Sequence, residues 1–197
     1  MRALPVIAIL VMLAGCGTLT NQYSPSYLAD AAVPAGSGLI VFSTGAPRGC
    51  VSEATYLKLL PEGASDREKG IARAGVDSYI VKSDFADHQG NLHAMPLPAG
   101  RYYFVPWMDN PLVRSVTQPK ATFSVVAGET VYLGEFYMPV GCRLEQLYEV
   151  HDQMTRDMAL MKSKTPHFDT SKVTNRLMDL SGGLPPCDAT NNALSCR

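Results

Sequence analysis

The sequence predicts a β-rich α+β body: an antiparallel β-sandwich of seven strands followed by two C-terminal α-helices. Three observations carry that expectation. From Gly38 to Pro139, short runs rich in β-branched and aromatic residues alternate with turn-forming clusters. After Pro139 the strand-like runs stop. From Arg143 to Lys164, the residues Leu144, Leu147, His151, Met154, Met158 and Met161 recur at spacings of 3, 4, 3, 4 and 3, the period of a helix with one apolar face. Of 197 residues, 46% are hydrophobic and 18% charged, which is ordinary for one globular domain with an appendage and excludes a disordered chain. Seventeen basic residues stand against 18 acidic ones with no basic run, so the chain lacks the electrostatic footprint of a nucleic-acid binder.

At the N-terminus, residues 1–15 place Arg2 before an apolar run from Ala3 to Ala14. That run is shorter than the roughly 20 residues a membrane-spanning helix needs, so it reads as an export signal. It ends in Leu13-Ala14-Gly15-Cys16, small residues directly before a cysteine. In these four residues the chain resembles bacterial lipoproteins, whose lipobox is cleaved before the cysteine. The resemblance implies that Cys16 becomes the mature N-terminus and receives diacylglycerol. Several acyl chains, such as palmitate, hold a protein on a membrane far more durably than one. In such lipoproteins an Asp after the cysteine marks inner-membrane retention; Gly17 stands there, which implies the outer membrane, facing the periplasm. Residues 16–37 then read as the lipidated cysteine and a flexible tether, since they lack sustained periodicity and contain Pro25 and Pro34. The alternative is a segment docked on the domain through Tyr23, Tyr27 and Leu28.

With Cys16 lipidated, Cys50, Cys142, Cys187 and Cys196 remain, an even number in an oxidising compartment, which points to two disulfides. Three pairings are possible. Cys187 with Cys196 and Cys50 with Cys142 is the favoured set: it staples a polar tail, residues 184–197, and links an early loop to the start of the helical region. No C-x₂-C pair supports a zinc site, and no cofactor is expected.

The strand candidates are residues 39–44, 54–60, 76–83, 92–97, 101–107, 120–126 and 130–138, within a sandwich spanning 38–139. The last two read as a hairpin: Phe123 and Val125 alternate with Ser124, Ala127-Gly128-Glu129 turns the chain, and Val131, Leu133 and Phe136 continue. In Leu97-Pro98-Ala99-Gly100-Arg101-Tyr102-Tyr103-Phe104, Pro98 and Gly100 supply a turn before an aromatic strand. These two phrases resemble the transthyretin-like or carboxypeptidase-regulatory-like sandwich of many bacterial lipoproteins. The resemblance implies an Ig-like accessory fold used more for binding or spacing than for chemistry, and it carries over no functional residue.

The helical extension occupies residues 140–183, packed on the sandwich so as to cover its open edges. Its first helix, 143–164, pairs Asp152 with Arg156 on the exposed side, places Lys162 and Lys164 near its C-terminal end and stops at Pro166. A second helix follows a cap at Asp169 or Thr170, with Val173, Leu177 and Leu180 on one face and Ser181-Gly182-Gly183 at its end.

Sites of chemistry are sparse. The Met stripe of the first helix fits core packing, or an adaptable partner face. His151 within it reads as a partly buried imidazole or a pH- or metal-responsive one. Asp84, Asp87, His88 and His93 bring metal-ligating types close in sequence, and equally describe a solvated turn. Trp107 fits a strand end in the core or a stacking surface for a sugar. No G-x-S-x-G, H-E-x-x-H, S-x-x-K or phosphate-binding glycine loop occurs. Dispersed carboxylates of a hydrolase would come from Glu53, Asp77, Asp84 and Glu135. The expected function is therefore a membrane-anchored envelope lipoprotein that binds or scaffolds another envelope component without catalysis. A lipid-anchored hydrolase of envelope glycans and a metal-binding module are the alternatives.

Overall fold

The computed structural model describes residues 21–28, 33–48, 55–66, 68–76, 81–108, 120–139 and 148–180. Cys16, Cys50, Cys142, Cys187 and Cys196, residues 1–15 expected to be an export signal, and residues 184–197 lie outside these residues. Two sheets pack face to face. The first holds β1 (Ser37–Ala46), β4 (Gln89–Pro98), β7 (Thr130–Tyr137), β8 (Glu149–His151) and β9 (Val173–Asn175). It runs β4-β1-β7, and β8 and β9 share the far edge of β7, pairing with its C-terminal and N-terminal halves respectively. The second sheet has the order β3-β2-β5-β6, built from β2 (Thr55–Pro61), β3 (Ala72–Gly75), β5 (Gly100–Met108) and β6 (Ala121–Val125).

The core between the sheets follows the period-2 alternation of each strand. Ile40 and Phe42 of β1, Leu57 and Leu59 of β2, Phe104 of β5, Phe123 and Val125 of β6, and Val131, Leu133 and Phe136 of β7 fill it. Phe104 sits 4.7 Å from Phe42 and 5.2 Å from Phe123 between ring centres. A second apolar layer covers the other face of the five-stranded sheet, where Leu39, Val41, Leu92, Ala94 and Tyr132 meet Met158 and Met161 of α1 (Met154–Lys164). The methionines pack inward, as a core reading of the stripe requires. All ten residues of β1 are buried, because this strand is covered on both faces.

Several expectations are corrected. The described residues contain nine strands and one α-helix rather than seven and two. The sandwich is not wholly antiparallel: β1 and β7 run parallel, as do β7 and β9. Strands β6 and β7 form no hairpin, since they belong to different sheets. The turn at Ala127-Gly128-Glu129, with Gly128 at φ +78°, carries the chain across the core, and its backbone bonds go to β1: Gly128 N–H to Ser37 O and Leu39 N–H to Glu129 O. Alternation followed by a tight turn looks identical in sequence whether the strands pair sideways or stack face to face. Ala99 plays the same part between β4 and β5. Residues 77–80 of the expected 76–83 strand lie outside the described residues; just before it comes β3, which was not expected, whose Ala72 and Ala74 fit beneath the sheet although Ala and Gly carry no strand signal.

Residues 143–147 of the expected helix 143–164 lie outside the described residues, and within the described part α1 begins at Met154. Before it, Glu149–His151 pair with the edge of β7, while Tyr148 and Val150 enter the core. Asp169 caps as expected, its carboxylate accepting from Ser171 N–H, but the turn it starts is three residues of 3₁₀ helix, Thr170–Lys172. The chain then becomes β9 because β7 still has an unpaired edge to satisfy. Past β9, Arg176 N–H bonds to Tyr132 O, Met178 N–H to Leu133 O, and Asp179 exchanges backbone bonds with Thr122 of β6, so this segment closes one flank of the sandwich.

The opposite flank is closed by the N-terminal segment. Residues 21–28, within the stretch expected to be a flexible tether, are docked: Ala94 N–H of β4 bonds to Tyr23 O, and Asn21 donates to Leu92 O.

Candidate functional site

The densest group of polar side chains lies where α1 crosses β1 and β7. It begins with a β-bulge. The β1–β7 register shifts between Val41 and Ser43, and Gly134 opposite has φ +94°. Strict alternation after Leu133 would send residue 135 into the core and residue 136 toward α1. The extra residue reverses this, aiming Glu135 outward and Phe136 inward. A glycine is required, since a Cβ at position 134 would lie 2.8 Å from Val150 Cγ1 on a backbone that L-residues rarely adopt.

The first turn of α1 lays Arg156 and Asp157 over this point. Asp157 is fully buried, as is Ser43 beneath it. The Asp157 carboxylate accepts from Ser43 Oγ at 2.5 Å, from Tyr132 OH at 2.7 Å and from Arg156 Nε at 2.8 Å. Arg156 Nη2 donates to Ser43 Oγ and to Glu135 Oε1, both at 3.0 Å, and its guanidinium lies 4.0 Å over the Phe85 ring. Glu135 Oε1 also meets His88 Nε2 at 3.0 Å, and the other ring nitrogen of His88 faces Asp87 at 2.8 Å. His151 stacks on Tyr137, with Nε2 2.7 Å from Glu149 and Nδ1 3.7 Å from Glu135. The chain of contacts thus runs from a sealed interior at Ser43 and Asp157 to solvent at Asp87 and Glu149.

The electrostatics follow from burial and pairing. Burial works against charge on Arg156, yet its contacts with Asp157 and Glu135 hold its pKa above the ordinary value. Burial, and then the neighbouring Asp157 carboxylate, push the Tyr132 hydroxyl upward, so it stays protonated and donates. A hydrogen bond from His88 lowers the pKa of the exposed Asp87.

This arrangement clamps a helix to a sheet. The Ser43 hydroxyl is sealed from solvent, donates a hydrogen bond to Asp157 and accepts one from Arg156. Above the clamp, an open groove of about 750 Å³ is lined by residues 152–156, Met158 and Asn175. At its rim Asp152 accepts from Met154 N–H and Asn175 Nδ2. The expected Asp152–Arg156 surface pair is therefore not made, because Arg156 turns inward to the buried carboxylates.

The structure separates the metal-type cluster of the sequence. Asp84 pairs with Lys164 at 2.6 Å and accepts from Leu92 N–H, while Asp87 and His88 belong to the clamp. His93 lies inside the sandwich, stacked on Phe42 at 4.9 Å, with Thr44 Oγ1 and Asn21 Oδ1 at its nitrogens. Burial lowers its pKa to about 3, so the ring is neutral. Among the described residues, no group of three or more His, Cys, Asp or Glu is arranged to hold a metal ion. Of the candidate hydrolase carboxylates, Glu135 joins the clamp and Asp84 does not, and Glu53 and Asp77 lie outside the described residues. Trp107 is half-buried on the outer face of the four-stranded sheet, with the buried Lys58 ammonium 3.8 Å over its ring. His151 sits on β8 rather than on the helix.

The meeting of Ser43, Tyr132, Arg156 and Asp157 escaped the sequence reading, which placed Arg156 on the exposed side of the helix. One signal was present: Asp157 lies three residues after Met154 and four before Met161, a carboxylate inside the apolar stripe. A second was the irregular spacing Val131, Leu133, Phe136, which marks the bulge. No family model, curated protein or solved structure matches the chain.

Proposed function

We propose that this protein is a lipoprotein of the bacterial envelope, anchored through Cys16 in the outer membrane facing the periplasm, whose body binds or scaffolds another envelope component without catalysis. The observation that carries the reading is Leu13-Ala14-Gly15-Cys16, followed after only four residues by the segment that docks on the body at Asn21. Two further features support it. The two packed sheets suit an Ig-like or transthyretin-like accessory sandwich, and the polar cluster spends its hydroxyl, guanidinium and carboxylates on holding α1 rather than offering them to a substrate. The groove beside α1 gives a partner both polar and apolar groups to meet. Cys50, Cys142, Cys187 and Cys196 form two disulfides in this reading.

The test is in-cell cross-linking and pull-down of the tagged protein beside a Cys16→Ala control, with palmitate labelling of both. The expected result is label on the parent chain only and a defined envelope partner that the control loses. An unlabelled parent chain overturns the anchor; a labelled chain with no defined partner overturns the scaffold role.

A further inference from the structure

The N-terminal segment is bound to the body at several places that belong to different elements. Asn21 Nδ2 donates to Leu92 O at 2.8 Å, and Ala94 N–H donates to Tyr23 O at 2.8 Å, both on β4. Gln22 Nε2 reaches Arg73 O of β3 at 3.4 Å. His93 Nδ1 lies 3.1 Å from Asn21 Oδ1 inside the sandwich. Thr165, at the C-terminal end of α1, donates from Oγ1 to Pro25 O at 3.0 Å. The point where the chain leaves the body is therefore set by the fold, on the flank where β4 and β3 lie.

Only residues 17–20 separate that point from Cys16. Five Cα steps span at most about 17 Å even fully extended. Along the five-stranded sheet, β9 stands three strand positions from β4, roughly 14 Å farther away. The docked segment bonds to the outer edge of β4 and so adds one more strand position, which puts β9 roughly 19 Å from the exit point, beyond the reach of this leash; the body cannot turn its other flank toward the anchor.

We infer that the β3/β4 flank, with Asn21–Leu28 at its centre, is a membrane-facing surface that rests on the phospholipid headgroups of the leaflet holding the anchor. This rests on the lipidation of Cys16 proposed above. The occupant is a lipid surface because the chain itself delivers one there. Exposed apolar side chains alone do not choose the flank: Tyr27 and Ile71 stand on this one, 58% and 55% exposed, and Val126 and Leu177 on the opposite one. The leash decides, and Tyr27 then provides an aromatic ring suited to the headgroup region.

The test uses the full chain, made in a bacterium that acylates lipobox cysteines and reconstituted into phosphatidylethanolamine–phosphatidylglycerol vesicles containing nitroxide headgroups. Trp107→Phe removes the native indole while keeping a ring under Lys58. In that background Tyr27→Trp and Leu177→Trp place a single indole on each flank. The expected result is roughly twofold or greater quenching of position 27 over position 177, from the ~14 Å difference in strand position. Equal quenching, or stronger quenching at position 177, overturns the orientation. Ten Gly-Ser residues inserted between residues 20 and 21 should erase the difference while vesicle flotation and palmitate label persist; a difference that survives the insertion shows that the leash does not set the orientation and overturns the argument. A parent chain that neither labels nor floats overturns the lipoprotein reading itself, and the orientation with it.

Discussion

Replacing Asp157 with Ala removes the acceptor on which Ser43, Tyr132 and Arg156 converge. The cost can be worked from what each partner is left with. Tyr132 and Ser43 are fully buried. An orphaned buried donor such as the Tyr132 hydroxyl costs about 1–3 kcal/mol. Ser43 keeps Arg156 as a neighbour. Arg156, its side chain 29% exposed, retains Glu135 and some water, which places it at the low end of the roughly 3–5 kcal/mol for breaking a buried ion pair. The sum expected is about 4 kcal/mol, or on the order of 10 °C in Tm for a domain of this size. Urea unfolding followed by circular dichroism measures it, and limited proteolysis within residues 154–164 shows whether α1 detaches first. The combination Asp157→Leu, Ser43→Ala, Tyr132→Phe should recover only the part due to the orphaned hydroxyls, because it removes both donors while Arg156 still lacks Asp157. A loss below about 1 kcal/mol for Asp157→Ala would refute the clamp, since ordinary surface changes reach half of that.

Gly134→Ala should cost about 1–3 kcal/mol through its positive φ and the contact with Val150, and chemical denaturation of the variant checks it. His93 gives the protein a specific acid sensitivity. Its folded pKa of about 3 lies below the unfolded value near 6.5, so the unfolded chain binds the extra proton; stability is intact above pH 6.5 and declines as pH falls toward 3. At pH 5 the loss is about 2 kcal/mol, and His93→Gln should flatten the measured pH profile by that amount. Thr165→Val removes the donor to Pro25 O and should lower stability by about 1 kcal/mol, with faster proteolysis at residues 21–28.

Much of the architecture was legible in the sequence. Strands β1, β2, β4, β5, β6 and β7 overlap runs whose alternation and β-branched or aromatic content mark them, since half-burial on a pleated surface leaves that pattern. The methionine spacing marked α1, and Asp169 marked a cap. What escaped was decided by partners distant along the chain. Glu149–His151 and Val173–Asn175 fit a helical stripe as sequence, but β7 has backbone groups to satisfy along its outer edge, and pairing there overrides a local preference worth a fraction of a kcal/mol per residue.

The sequence by itself determined six of the strands and the inward faces of the sandwich, because each depends on neighbours a few residues apart. Tertiary structure alone decided which strands share a sheet, that residues 21–28 are docked rather than free, and that Ser43, Tyr132, Glu135, Arg156 and Asp157 meet. Ser43 and Asp157 are 114 residues apart, and no local rule relates them. Their contact exists because the Gly134 bulge turns Glu135 toward α1, and because a helix laid over a fully buried strand must find partners for every polar group it covers.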